Sequence, residues 1–208
     1  MVPLTTVIVF AKAPVAGLAK TRLAPALGAE GAAQLARRLL HHTVRQALAA
    51  GLGPVDLCVT PHQQHDDFTA LAAHPGLQLS DQGDGDLGAR MARALERRLA
   101  SSPAALLIGT DAPSLDAATL QQAARLLQSH DAVFGPAADG GYVLVGLKRP
   151  APELFDGMRW SHPAVMADTR QRLASAGLNH IEMPVLHDID EPADLVHLPA
   201  AWRDGATP

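Results

Sequence analysis

The chain has 208 residues, 48% of them hydrophobic and 18% charged, with a formal net charge of -4. This length and apolar content fit one folded domain with a full core and exclude a polar, disordered chain. The slight acidity excludes a broad electrostatic grip on nucleic acid, which needs many cations on one face, but it leaves room for a small cationic pocket.

Cys58 is the only cysteine, so neither a disulfide framework nor a thiolate metal cluster is expected. Within "VDLCVT" it reads as a small apolar core residue. The start "MVPLTTVIVF" lacks the basic head and small-residue cleavage site of a secretory signal, and its apolar run is too short to span a bilayer. A cytoplasmic protein without membrane contact is expected.

Strand-length apolar runs alternate with segments of helical period. Leu4–Phe10 reads as a buried strand. Over Ala29–Ala50 the residues Ala32, Leu35, Leu39, Leu40, Val44, Ala47 and Leu48 recur at three and four, which predicts a helix ended by Gly51, Gly53 and Pro54. "VDLCVT" is a second strand and Leu77–Ser80 a weaker third. Asp86 can cap a helix bearing Leu87, Met91, Leu95 and Leu99. Ala104–Thr110 is the clearest buried strand, and Asp116 opens a helix through Leu120, Ala124 and Leu127. "DAVFGP" and "GYVLVGL" are strands joined by the turn "AADGG". A helix over about Pro163–Ala176, the strand "IEMPV" and a short helix in "EPADLVHL" follow. With no repeat and no linker, residues 1–208 are expected to form one domain, a mainly parallel sheet covered on both faces. Ligands of such folds sit at the carboxyl ends of the strands, where strand order reverses.

That rule directs attention to the loops after the first and fourth strands. The first carries Lys12, Lys20 and Arg22 around a turn set by Pro14 and Gly17. It is no Walker A loop, because Ala19 precedes Lys20-Thr21, and no G-x-G-x-x-G is present. What remains is a turn able to fold three cations around a polyphosphate, with Arg22 as a fork of donors and the lysines as point charges. The plainer reading is a solvated loop. After the fourth strand, "IGTDAPSL" places Asp111 at a strand end. There it either caps the next turn or joins substrate phosphates in holding Mg²⁺, which takes one or two carboxylates.

Near the end, "LHDIDEPADL" supplies Asp188, Asp190, Glu191 and Asp194, with helix capping as the plainer role of Asp190. "DGDLGARM" leads into a helix whose first amides can meet a ribose, base or phosphate. "AADGGY" aims Asp139 beyond the sheet, although Asp-Gly also suits an ordinary hairpin. In "RWSHP", Trp160 is a lid over an acceptor or a hydrophobic anchor, and Ser161 can cap the next helix. The ten histidines show no metal-ligand spacing.

Taken together, "FAKAPVAGLAKTRL", "GDLGARM", "IGTDAPSL", "GPAADGGYVLVGL", "LFDGMRWSHP" and "HDIDEPADL" resemble the radical-SAM/selenodomain-associated transferase family, type 1, of the GT-A (nucleotide-diphospho-sugar transferase) superfamily. The match runs in order from about residue 4 to 196. The first loop is similar to that of 2-phospholactate guanylyltransferases, and the last motif to those of sugar-acid and terpenoid cytidylyltransferases. The resemblance implies a single-domain three-layer α/β/α, Rossmann-like GT-A fold. It implies Mg²⁺ (or Mn²⁺) on Asp111 and Asp190, and a triphosphate held by Lys12, Lys20 and Arg22. Ala11, Gly17, Asp86, Leu87, Gly88 and Thr110 would complete the nucleotide site. Asp139, Gly140, Gly141, Trp160 and Ser161 would meet the acceptor. This first loop has only Gly17 where nucleotidyltransferases of the superfamily usually carry more glycines.

Three loop cations exceed the needs of a diphosphate leaving group, which favours nucleotidyl transfer: a small acceptor attacks the α-phosphate of a nucleoside triphosphate and pyrophosphate leaves. Lys20, Arg22, Asp111 and Asp139 are then the catalytic candidates, with positioning and charge stabilisation supplying most of the rate and Asp139 as a base for a hydroxyl. Glycosyl transfer from a sugar nucleotide is the alternative, and a nucleotide-binding protein without turnover a third. A homodimer is compatible with the chain.

Overall fold

The computed structural model describes residues 4–203; residues 1–3 and 204–208 of the expected domain lie outside the described residues. Seven strands form one sheet: β1 (Thr5–Lys12), β2 (Val55–Thr60), β3 (Leu77–Asp81), β4 (Ala104–Gly109), β5 (Ala132–Pro136), β6 (Tyr142–Leu147) and β7 (His180–Glu182). Their order is β3-β2-β1-β4-β6-β5-β7. All pairs are parallel except those of β6, which runs antiparallel to both β4 and β5. The short "AADGG" connection dictates this, because a tight hairpin joins only antiparallel strands.

The helices are α1 (Ala24–Ala49), α2 (Asp66–Ala72), α3 (Leu87–Leu99), α4 (Ala117–Leu126), α5 (Val165–Ser175) and the short α6 (Ala200–Arg203). Along β1, Val7 and Val9 face a core shared with α1, α2 and α4, while Ile8 faces a second core shared with α3 and α5. Both faces of the sheet are therefore buried, which is why its strands read as unbroken apolar runs. The result is the three-layer α/β/α architecture expected. Cys58 is fully buried in the second core.

Several boundaries differ from expectation. Helix α1 begins at Ala24, but its backbone leaves helical geometry at Gly28 (φ 74°, ψ 166°), so its regular part starts at the predicted Ala29. Helix α2 was not predicted; it is seven residues long, too short to display a helical period. Strand β7 is only three residues, since Pro184 has no N–H for the ladder, although Leu186 N still donates to Pro136 O at 2.9 Å. "EPADLVHL" forms a 3-10 helix, Pro192–His197. Ser161 does not cap α5: it takes a left-handed backbone (φ 61°), and Ala164 holds the N-cap position. Asp86 and Asp116 do cap α3 and α4, accepting from Ala89 N and Thr119 N at 2.8 Å each.

The far end of α3 is fixed by a buried charge. Asp56 on β2 is fully buried and accepts from Arg98 Nε at 2.7 Å, Arg97 Nη2 at 3.3 Å and Ser80 Oγ at 2.6 Å. It thereby sets the tilt of the helix whose N-terminus reaches the cleft described below. Asp56→Ala strands two guanidinium groups against the sheet and is expected to cost about 3 kcal/mol, the scale for breaking a buried pair from one side, read as a lower urea midpoint with unchanged slope.

Candidate active site

Strand β1 lies between β2, which leads outward to β3, and β4, which leads the other way. Connections diverge there, and a crevice opens at the carboxyl ends of the two strands. A cleft of about 560 Å³ occupies it, lined among others by Lys12, Lys20 and Arg22 of the first loop, Asp111, Asp139 and Asp190.

The first loop is shaped by its backbone. Gly17 (φ 76°) turns the chain, and Leu18 N and Ala19 N both donate to Val15 O. Lys12 folds back, its Nζ donating to Leu18 O at 2.7 Å. Arg22 extends into solvent, 3.9 Å from Glu191. Lys20 instead points inward from a left-handed backbone (φ 47°, ψ 42°). Its Nζ donates to Asp190 Oδ1 and Ile189 O, both at 2.7 Å, and makes a close ion pair with Asp111. The Lys20 side chain is only 8% exposed, while the side chains of Asp111 and Asp190 are each 42% exposed. Burial by itself would lower the pKa of Lys20, but Asp111 and Asp190 outweigh it and hold the ammonium above its ordinary value.

Asp111 and Asp190 come from opposite halves of the chain, and the backbone makes them meet. Ile189 N donates to Asp111 O at 2.9 Å, docking the last segment beside the end of β4. Capping of that segment falls to other residues: Glu191 is the N-cap, and Asp194 Oδ2 accepts from Asp190 N at 3.0 Å and Glu191 N at 2.7 Å. The Asp190 side chain is thus left for the cation. Two carboxylates converging on one positive atom suit a divalent ion as well as an ammonium. Among the described residues no three His, Cys, Asp or Glu side chains form a metal cluster, so such an ion would complete its shell with substrate oxygens and water, the usual habit of Mg²⁺.

The other expected residues distribute around this centre. Thr110 lines the cleft beside Asp111, and Ala11 and Leu87 form part of its wall. Asp86 is engaged in capping. Gly88 is packed beneath the surface, where a Cβ would stand 2.6 Å from Phe155 O and 3.0 Å from Trp160 Nε1. Gly140 (φ 91°) accepts from Met166 N at 2.8 Å, and a Cβ there would collide with Pro163 O. These two glycines let the segment carrying Trp160 and Ser161 pack closely, Gly88 against α3 and Gly140 against the hairpin. Asp139 Oδ1 accepts from Gly141 N at 2.8 Å, the local hairpin bond, and the residue also faces the cleft.

Three residues went unpredicted. Gln82 is buried, donates from Nε2 to Ala11 O and Cys58 O at 3.2 Å each, and lines the cleft. It directly follows β3, so the strand-end rule extended to the third strand points to it. His162 and Tyr142 lie beside Asp139, Trp160 and Ser161, and the packing of the 158–165 segment against the start of β6 brings them together.

Asp188 lies close to Asp139, Asp190 and Asp111. Burial first, then the Asp139 carboxylate, pushes its carboxyl up to about 6. A carboxyl whose native pKa exceeds its unfolded value weakens the fold as it ionises, so the penalty is absent below the unfolded value near 3.8 and complete above about 6. In metal-free buffer, Asp188→Asn is expected to raise the melting temperature at pH 8, with the gain shrinking steadily as pH falls from 6 toward 4.

No curated protein matches the chain by sequence. Among solved structures, a candidate nucleotide-diphospho-sugar transferase from Desulfovibrio desulfuricans G20 is 29% identical, covers 97% of this chain and 90% of its own, and superposes with a TM-score of 0.86. The inositol-1-phosphate CTP transferase from T. maritima is 12% identical over 98% of this chain and 95% of its own, with a TM-score of 0.59. Rv0371C from Mycobacterium tuberculosis H37Rv, solved with manganese, is 18% identical over 94% and 97%, with a TM-score of 0.54. The two distant likenesses extend to the fold alone. The profile of DUF2064, described as an uncharacterized protein conserved in bacteria, matches residues 43–162, more than half of the sequence, and the chain belongs to that family.

Proposed function

We propose that this chain is a single-domain nucleotidyltransferase of the radical-SAM/selenodomain-associated type, joining a nucleoside triphosphate to a small acceptor with release of pyrophosphate. One observation carries the reading: Asp111 and Asp190 converge on a single cation at the strand-order reversal, on the same loop that bears Lys12 and Arg22. Cations and paired carboxylates on one crevice are what a polyphosphate with a divalent ion requires.

Asp111 and Asp190 would hold Mg²⁺ or Mn²⁺, which when bound neutralises charge on the phosphate oxygens. Lys12 and Arg22 bind the phosphate chain from the first loop. With those carboxylates on a metal, the Lys20 ammonium would be free to bind the same oxygens. Thr110 and Leu87 border the nucleotide. The T. maritima CTP transferase and the manganese complex of Rv0371C support nucleotide and metal use in this fold. The Desulfovibrio relative favours a second reading, glycosyl transfer from a sugar nucleotide.

Each nucleoside triphosphate, with Mg²⁺ and an acceptor panel, is expected to yield pyrophosphate for at least one base. Lys20→Ala should lower that rate by roughly 10²-fold or more, the scale for losing one preorganised charge-stabilising group. Diphosphate release from a UDP- or GDP-sugar, with no triphosphate reacting, would establish glycosyl transfer instead. A separate prediction concerns the carboxylate pair: Lys20→Met removes the resident cation, so nucleotide-free protein should bind Mn²⁺ more tightly than wild type in a calorimetric titration.

A further inference from the structure

A groove of about 840 Å³ lies between α1 and the segment 195–202, and it shares no described lining residue with the cleft. Its α1 wall is one stripe, Gly31, Leu35, Arg38, His42 and Arg45, spaced at three and four residues as a single helical face requires. The stripe is apolar at its start and cationic further on. At the apolar end, Leu35, Leu195 and Trp202 pack on a small core that includes Ile189 and Leu198. Leu27, 37% exposed, and Val196, 61% exposed, leave apolar surface open on both walls.

The cationic end is organised around Trp202. The Arg38 guanidinium lies 4.4 Å from the centre of its ring, and the His42 ring meets it edge to face at 5.2 Å. His42 Nε2 is 3.0 Å from Pro113 O, and Arg45 Nη2 is 3.4 Å from His42 Nδ1. A carbonyl only accepts and a guanidinium only donates, so His42 is the neutral Nε2–H tautomer and its Nδ1 anchors Arg45. The adjacent Arg37 and His41 are occupied by Asp67, which accepts from Arg37 Nε at 2.9 Å and lies 3.3 Å from His41 Nε2. Arg45 is exposed, and among the described residues no aspartate or glutamate lines the groove.

We propose that this groove binds a small amphiphilic carboxylate, its head held by Arg45 and Arg38 and its unbranched apolar tail lying over Leu35, Leu195, Val196 and Leu27. Such a site is separate from the transfer chemistry. From Leu35 to Arg45 the helix rises about 15 Å, room for an extended chain of about ten carbons. A carboxylate accepts forked, charge-assisted bonds from guanidinium donors, and the tail leaves water against the leucines. An ammonium is repelled by the arginines, and an alcohol leaves their charge unused. A second copy of the chain docked groove to groove would set two arginine stripes face to face. The volume lies within the range of small-ligand sites, and two walls enclose the tail, which suits a free amphiphile rather than a bilayer surface.

The test titrates hexanoate, octanoate and decanoate, below micelle-forming concentrations, and octanol, octylamine and octyl phosphate as controls. Binding is read by calorimetry on the full chain and by fluorescence of a Trp160→Phe protein, whose remaining tryptophan is Trp202. Saturable one-to-one binding of the carboxylates is expected, tightening roughly threefold per added CH₂, with octanol and octylamine at least tenfold weaker than octanoate. Arg45→Gln should weaken octanoate roughly tenfold, the scale of one hydrogen bond to a charged group, and leave octanol unchanged. Val196→Asn should weaken octanoate and octanol alike. Both residues are exposed, so both variants should melt with the wild type. Equal affinity for octanol, tighter binding of octyl phosphate, indifference to Arg45→Gln, or no saturable binding overturns the proposal. A dimer in sedimentation that Val196→Asn dissociates gives the groove to a second copy, and octanoate binding seen only after removal of residues 204–208 gives it to the chain's own tail; either result also overturns it.

Discussion

A lysine ammonium buried between two aspartates is the contact on which the cleft depends. Through Lys20 the first loop, the end of β4 and the C-terminal segment are drawn to one point, and the main-chain bond from Ile189 N to Asp111 O closes the same junction. Such an arrangement is a poor stabilising device by itself. Desolvating the ammonium and part of each carboxylate offsets much of their attraction, and well-packed apolar groups generally do as well. Lys20 also sits in a left-handed backbone, which costs a residue with a Cβ about 1–2 kcal/mol. A costly cluster held at a strand-order reversal argues for use of its charges.

In the cleft the first-loop cations Lys12, Lys20 and Arg22 meet the acidic side chains of Asp111, Asp139 and Asp190. Its wall beyond Asp139 is kept in place by packing: Gly88 lets Trp160 and the Phe155 carbonyl approach α3, and Gly140 lets the Pro163 carbonyl approach the hairpin. A side chain at either position would lift the 158–165 segment from the site. Buried Asp56 holds α3 from its other end.

Much of the architecture was legible because local rules and global packing agree. The strands bury both faces and so read as continuous apolar runs; the α3 and α4 caps and the Asp-Gly hairpin each follow from one or two residues. Helix α2 was illegible, being too brief to show a period, and β7 was overextended because its last residues follow the sheet edge without a regular ladder. Ser161 was misassigned because a serine before His-Pro has the composition of a cap, whereas the close approach of the segment to Gly140 imposes a different backbone.

By itself the sequence determined the alternation of strands and helices, the cationic first loop and the carboxylates at strand ends, since each depends on residues close together in the chain. Only the tertiary structure decided that Lys20 lies between Asp111 and Asp190, that Asp194 rather than Asp190 does the capping, and that Tyr142 and Trp160 share a cavity with Asp139 and Asp188. Those relations join residues far apart in sequence, and they are set by strand order and helix packing, which no local spacing records.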